Sequence, residues 1–234
     1  YNRLVLTPLL LLSLLVAPTP RDLLLDIQVQ AAFVSDHAPG FVRIHYTPPM
    51  PTEVDQRFQP KHTALGALVE IEGKARVLAP THRIAGVEKA ELELADGRRV
   101  SGAFDPAIAS ASIPFQEFKT DRENALKGVR TLKWTDGKPP EEGTLLWAIE
   151  WPLGQQLPNS RAQPILIRTT AGVSVEPPLE RFLYVALGRA DGLALLNHRG
   201  HVQCLVFRAV PGMKNKSLCA PQNAVLSPMN RSSQ

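Results

Sequence analysis

Histidine and cysteine are the side chains of this 234-residue sequence whose chemistry is most informative. The histidines are His37, His45, His62, His82, His198 and His201. Only His198 and His201 are close in sequence, and a zinc site would need four ligands in a characteristic spacing. We therefore expect no metal site and no cofactor. A histidine beside a carboxylate could still perform acid–base chemistry.

The two cysteines, Cys204 and Cys219, leave two interpretations open. In an oxidising compartment they form a possible disulfide that closes a loop of roughly 15 residues. In a reducing compartment they are two free thiols. Their spacing alone does not choose between these states.

Composition and charge exclude one class of function. The net charge is +4, and the basic residues are scattered along the chain. Because no basic stripe with interleaved aromatic residues is present, we expect no nucleic-acid binding. The 21 prolines and 15 glycines predict many turns and few long helices. The length suits one large all-β domain, or two small ones that share a core.

The N-terminus predicts export. Residues 4–16 are almost wholly apolar, which suits the hydrophobic part of a signal peptide, and residues 1–20 are just long enough to cross a membrane if Arg3 snorkels. No small-x-small triplet follows the run, so we favour an uncleaved anchor over residues 1–21 to a removed signal. Arg3 places the N-terminus in the cytoplasm. We therefore predict a single span in the cell membrane, with the globular domain on the exported, periplasmic side.

The rest of the chain carries short β-type segments separated by turns. A linker is expected over residues 22–40 and a polar tail over residues 212–234. The predicted strands between them are 41–46, 65–71, 75–79, 90–94, 98–104, 129–134, 144–149, 164–169, 182–186, 194–196 and 202–207. Strands of this length and spacing are typical of a barrel or a sandwich.

Several of these segments carry motifs whose order resembles a known family. The motifs lie at residues 65–69, 76–84, 91–100, 105–106, 146–154, 170–174 and 188–202. Over about residues 40–208 they resemble the trypsin-like serine proteases of the high-temperature-requirement-A type. The resemblance implies an all-β fold of two six-stranded barrels, over residues 41–120 and 121–211, preceded by one N-terminal hydrophobic helix. We expect no peptide-binding PDZ module after the second barrel, since the sequence ends at residue 234.

The resemblance assigns the positions of a catalytic triad, in which a histidine activates a serine and an acid orients the histidine. His82 falls on the histidine position, and Ala109 falls on the acid position. The nucleophile loop reads Gly-Arg-Ala-Asp-Gly over residues 188–192. Alignment back from Asn197 puts Asp191 at the serine position, whereas alignment forward from Gly188 puts Ala190 there. Neither residue is a hydroxyl nucleophile.

From these positions we predict that the chain is not an enzyme but a pseudoprotease. It would be a membrane-tethered scaffold, or an accessory subunit of a membrane protein complex, that binds protein partners. Two alternatives remain. One is a regulatory peptide-binding module in the exported compartment. The other is a residual hydrolase with unrelated chemistry around His82, where Asp191 would supply the carboxylate.

Overall fold

A computed structural model describes residues 20–49, 61–106, 113–122, 124–135, 138–150, 165–175, 181–188 and 191–231. Within these residues, twelve antiparallel strands form two closed barrels of six strands each. The predicted fold class is therefore confirmed for the barrels. Residues 1–19, which hold most of the predicted anchor at 1–21, lie outside the described residues. Within the described part, no helix combines the length and apolar composition needed to cross a bilayer.

The first barrel spans residues 41–120, the bounds that the sequence predicts. Its strands are β1 Phe41–Tyr46, β2 His62–Ile71, β3 Lys74–Pro80, β4 Lys89–Glu93, β5 Arg99–Ala103 and β6 Phe115–Thr120. They follow the order β1-β2-β3-β6-β5-β4, and the barrel closes where β1 pairs with β4.

The second barrel repeats this order with the next six strands. They are β7 Leu145–Glu150, β8 Ile165–Ser174, β9 Leu183–Val185, β10 Ala194–Leu196, β11 Val202–Ala209 and β12 Ser217–Pro221. The order is β7-β8-β9-β12-β11-β10, and closure occurs where β10 pairs with β7. In both barrels the last three strands therefore run in reverse spatial order after the first three.

The prediction of a polar tail over residues 212–234 is wrong. Residues 217–221 form β12, the last strand of the second barrel, and α3 follows at Gln222–Arg231. The second barrel thus extends beyond residue 211. Every residue of β12 is buried, and Cys219 forms a disulfide with Cys204 of β11. A strand buried on both faces lacks the polar–apolar alternation that identifies strands in a sequence.

The linker predicted over residues 22–40 is also wrong. Helix α1 spans Pro20–His37, and a 3₁₀ turn follows at Ala38–Gly40. The helix packs on the second barrel, where the Phe33 ring lies 5.0 Å from the Trp147 ring. Asp26 adds an ion pair with Arg168 of β8 at 3.5 Å. Tertiary packing of one helix face stabilises α1. The local sequence therefore did not identify the helix.

The two barrels share an apolar contact. The core of the first barrel includes Ile44, Leu68 and Leu92, each fully buried. Side chains on the other face of its strands, such as Phe41 and Leu78, join the core of the second barrel. The segment 129–134, predicted as a strand, connects the barrels through isolated bridges to β2 and to Val202 of β11.

Candidate functional site

His82 lies at the inter-barrel junction because of a one-turn helix after β3. Strand β3 ends at Pro80, and α2 spans Thr81–Ile84. The Thr81 amide donates to the Pro114 carbonyl at 3.0 Å, and the Ile84 side chain is fully buried. This fixes the turn, so that His82 and Arg83 project outward, with side chains 40% and 49% exposed.

Asp191 comes from the second barrel, in the turn before β10. The next residue, Gly192, has φ of 95° and donates its amide to the Val206 carbonyl at 2.6 Å. A Cβ at Gly192 would lie 2.1 Å from the Leu65 carbonyl oxygen of the first barrel. Only glycine permits this close approach at this backbone angle. The glycine thus brings Asp191 against the first barrel.

One carboxylate oxygen joins these residues. Asp191 Oδ2 lies 3.1 Å from His82 Nε2 and accepts hydrogen bonds from Arg83 Nε at 2.9 Å and Nη2 at 2.7 Å. The Asp191 side chain is only 4% exposed. The ion cluster formed by His82, Arg83 and Asp191 therefore connects the two barrels through charge-assisted hydrogen bonds.

The partners of Asp191 stabilise its ionised form. Burial raises the pKa of this carboxyl, but hydrogen bonding to His82 and the charge of Arg83 lower it by more. The net pKa therefore lies below the ordinary value of 3.8. A group with a depressed pKa in the folded state binds fewer protons than in the unfolded state, so it stabilises the fold at higher pH.

We expect Asp191→Asn to lower the free energy of unfolding by about 1–2 kcal/mol at neutral pH. The substitution keeps the shape but removes the charge, while the half-exposed partners regain water. The wild-type advantage should be complete above the unfolded pKa and vanish as pH falls through the lower folded pKa. Urea denaturation of both proteins from pH 7 to pH 2 measures this difference.

A matched control for this prediction is Asp96→Asn. Asp96 also pairs with an arginine, Arg98 at 2.7 Å, but both side chains are 51% exposed. An exposed pair contributes about 0–1 kcal/mol. A loss in Asp191→Asn no larger than in the control, or one independent of pH, would contradict the assigned role of the ion cluster.

The structure brings together two of the four residues that the sequence placed at triad positions. His82 and Asp191 are in contact, whereas Ala109 and Ala190 lie outside the described residues. Sequence reasoning missed Arg83, which makes the closest contact to the carboxylate. No sequence pattern pointed to Arg83, because its contact depends on the direction of the one-turn helix α2.

A second histidine–carboxylate contact lies in the first barrel, away from this junction. His45 Nε2 lies 2.7 Å from Glu93 Oε2, and its Nδ1 lies 3.2 Å from Thr63 Oγ1. Arg43 pairs with the other Glu93 oxygen. These residues connect neighbouring strands of one barrel. Among the described residues, no group of three or more His, Cys, Asp or Glu side chains could hold a metal ion.

Two six-stranded barrels of the same strand order, with His82 of the first meeting a turn of the second, define the trypsin-like fold. Comparison with solved structures agrees. The chain superimposes on the Rv3671c protease from M. tuberculosis, active form, with a TM-score of 0.65 and 15% identity, covering 91% of this chain and 86% of that one. The inactive form gives a TM-score of 0.62 at 14% identity, with 92% and 96% covered.

The high-temperature-requirement-A type is represented among these structures. The HtrA-type protease AlgW with a tripeptide matches with a TM-score of 0.62 and 17% identity, covering 86% of this chain and 62% of that one. The chain thus spans less than two thirds of AlgW. No family model matches the sequence. No curated protein matches it either. The resemblance seen in the motifs is therefore confirmed at the level of the fold.

These comparisons contradict the prediction that the chain is not an enzyme, which we correct here. The chains it superimposes on are proteases, one of them in an active form. The prediction rested on the absence of a serine hydroxyl and of an acid at the triad positions, and it kept acid–base chemistry at His82 and Asp191 only as an alternative. An imidazole in contact with a carboxylate, as in His82 and Asp191, can still transfer protons.

Proposed function

We propose that this protein is a membrane-tethered, protein-binding subunit built on the trypsin-like fold, with its barrels on the exported side of the membrane. It would act as a scaffold or accessory subunit of a membrane protein complex. The cleft between two barrels is a natural place to hold a segment of a partner.

The observation that carries this proposal is the buried Asp191 carboxylate, which one of the two alignments puts at the serine position. Its Oδ2 is shared by His82 and Arg83 of the first barrel. These contacts between the barrels therefore hold them in one relative position. A scaffold needs a fixed arrangement of its two barrels, because the entropic cost of ordering them on binding would weaken the complex.

Two further features support the membrane and export parts of the proposal. The apolar run over residues 4–16 precedes α1 in the sequence and suits a membrane segment. The disulfide between Cys204 and Cys219 fits an oxidising compartment, because disulfides persist mainly outside the cytosol.

Helix α1 offers a surface for a partner close to the membrane. The helix contacts the second barrel through Phe33, whereas Ile27 and Val29, which lie two residues apart and so on different sides of the helix, are 61% and 60% exposed. Large aliphatic side chains on the helix that follows the predicted anchor would contact a neighbouring membrane subunit. We call Ile27 and Val29 the α1 apolar pair.

Site-specific photo-crosslinking in the native membrane tests this proposal. A photoreactive amino acid replaces Ile27 or Val29 in the full-length chain, one at a time. We expect at least one of the two positions to yield a discrete adduct with one second protein, because a stable subunit contact is specific and the two side chains lie on different sides of the helix. Mass spectrometry of the adduct identifies the crosslinked partner.

Arg98 is the control position, since it is also exposed but lies in the turn between β4 and β5 of the first barrel. The probe there should give no adduct of that mass. If Ile27 and Val29 give no adduct, or only the pattern seen at Arg98, the α1 apolar pair does not bind a subunit and the proposal fails.

A second candidate function is hydrolysis, favoured by the 3.1 Å contact between His82 and Asp191. With Nε2–H donating to the carboxylate, the other ring nitrogen, Nδ1, is an acceptor. It could take a proton from water as the water oxygen attacks an ester carbonyl, and return it to the leaving alkoxide. His82 is partly exposed, which gives water and substrate access to the ring.

The hydrolysis candidate is tested by p-nitrophenyl ester turnover in His82→Ala and His45→Ala. Both variants lose an imidazole that contacts a carboxylate, but His45 lies outside the inter-barrel junction. General acid–base catalysis is worth about 100-fold or more, so His82→Ala should fall to the buffer rate. Equal rates in both variants, or no wild-type turnover, would exclude this candidate.

A further inference from the structure

A small cavity with basic side chains lies between α1, the inter-barrel segment and the turn joining β10 to β11. Its volume is about 160 Å³, and Arg130, Lys133 and Arg199 are among its lining residues. The three cations come from two separate stretches of chain. Folding therefore brings together positive charges that the sequence leaves scattered.

The charge balance of the cavity favours an anion. Asp36 is the carboxylate in its lining, and three Lys and Arg cations minus this one anion leave a net charge of +2 from these four side chains. Asp36 pairs with Arg130 at 3.0 Å, but the two side chains are 58% and 61% exposed, so this pair is weak. Lys133 and Arg199 remain available to a ligand.

Glycines shape the walls of the cavity. A Cβ on Gly200 would lie 1.6 Å from His37 Nε2, and a Cβ on Gly40 would lie 2.3 Å from Leu132 Cγ. The imidazole of His37 therefore packs directly on the backbone of the β10–β11 turn. Its Nδ1 lies 2.8 Å from the Phe33 carbonyl, which fixes the ring.

The backbones that carry the cations are fixed as well. The Asn197 side chain accepts hydrogen bonds from the amides of Arg199 and His201, and this closes the turn. The Lys133 carbonyl accepts from the Val202 amide at 2.7 Å. Because the backbone on both sides of the cavity is already hydrogen-bonded, ligand binding costs little backbone conformational entropy.

We propose that this cavity binds a small oxyanion, specifically a phosphate group, with Lys133 and Arg199 as its main ligands. The volume equals that of roughly five water molecules, enough for one phosphate group and some water. Arginine and lysine are the usual phosphate-binding side chains, the arginine by paired hydrogen bonds. The phosphate could be free or carried by a protein segment.

The test titrates the full chain with inorganic phosphate, and separately with N-acetylphosphoserine amide, at physiological ionic strength. Binding is followed by amide chemical shifts. We expect saturable shifts at Gly200 and Thr131, and at least tenfold weaker binding in a Lys133→Ala/Arg199→Ala variant. Tighter binding of inorganic phosphate points to a free anion. Tighter binding of the phosphoserine derivative points to a protein-borne group.

Arg208→Ala is the matched control, since Arg208 is an exposed arginine of β11 outside the cavity. It should bind like wild type. The substituted residues Lys133 and Arg199 are exposed, so circular dichroism should show an unchanged fold. Shifts that do not saturate, that occur away from the cavity, or that weaken equally in the control would overturn the proposal.

Discussion

Gly192→Ala should lower the free energy of unfolding by about 4 kcal/mol or more. The φ of 95° lies in a region that alanine adopts only with strain, which costs about 1–3 kcal/mol. The new Cβ would also lie 2.1 Å from the Leu65 carbonyl oxygen, so one barrel would have to move away from the other. Urea denaturation followed by circular dichroism measures the loss.

Gly97→Ala separates the effect of backbone strain from the effect of the close approach to Leu65. Gly97 has a similar φ of 86°, but nothing lies within 4 Å of its added Cβ. We expect a loss of about 1–2 kcal/mol from backbone strain alone. If Gly192→Ala costs no more than Gly97→Ala, the close approach of the two barrels at the Asp191 turn is incorrect.

Removing the disulfide should cost about 3 kcal/mol. Cys204 and Cys219 are fully buried and lie 15 residues apart in the sequence, and the bond restricts the unfolded chain. The variant is Cys204→Ala/Cys219→Ala, compared with the oxidised wild type by urea denaturation. The loss should appear together with weaker protection of the amides of β12 against hydrogen exchange.

Reduced wild type is the control for this variant. It lacks the bond but keeps both sulfur atoms, so it isolates the cross-link from the packing of the side chains. We expect it to lose most of the same stability. A double variant as stable as the oxidised wild type would show that the bond does not fix β12 to β11.

The first barrel could be predicted well because its strands are short β-type segments bounded by turns, such as those at Gly73 and Gly97. Strand β1 matches its prediction at residues 41–46, and β2 to β5 differ by a few residues at their ends. Strand β6 was not predicted because its apolar residues, Phe115 and Phe118, are three residues apart, which does not match the two-residue period of a strand. Its place in the sheet is determined by pairing with β3.

Helix α1 and strand β12 could not be predicted from local sequence. Their identity depends on contacts with distant residues: Phe33 packs on Trp147, and Cys219 bonds to Cys204. Along α1 the apolar residues Ile27 and Val29 are exposed, so the periodicity is weak. Tertiary packing overrides such weak local signals.

The candidate site could also be predicted from the sequence only in part. The order of motifs identified His82 and offered Asp191 as one of two alignments, and the structure places these side chains in contact. The role of Arg83 depends on the direction of a one-turn helix, which sequence patterns do not specify. The prediction that the chain is not an enzyme, made from the missing serine and acid positions, is contradicted because the chains of the same fold are proteases.

The size of the protein solubilised in mild detergent tests the central claim most directly. We predict that wild type elutes with a second protein in fixed stoichiometry, and that Ile27→Glu/Val29→Glu elutes without it while keeping its fold. Arg98→Glu, at an exposed site of the first barrel, should keep the partner. A wild-type chain that elutes as a single 25.7 kDa species with no companion would contradict a subunit role.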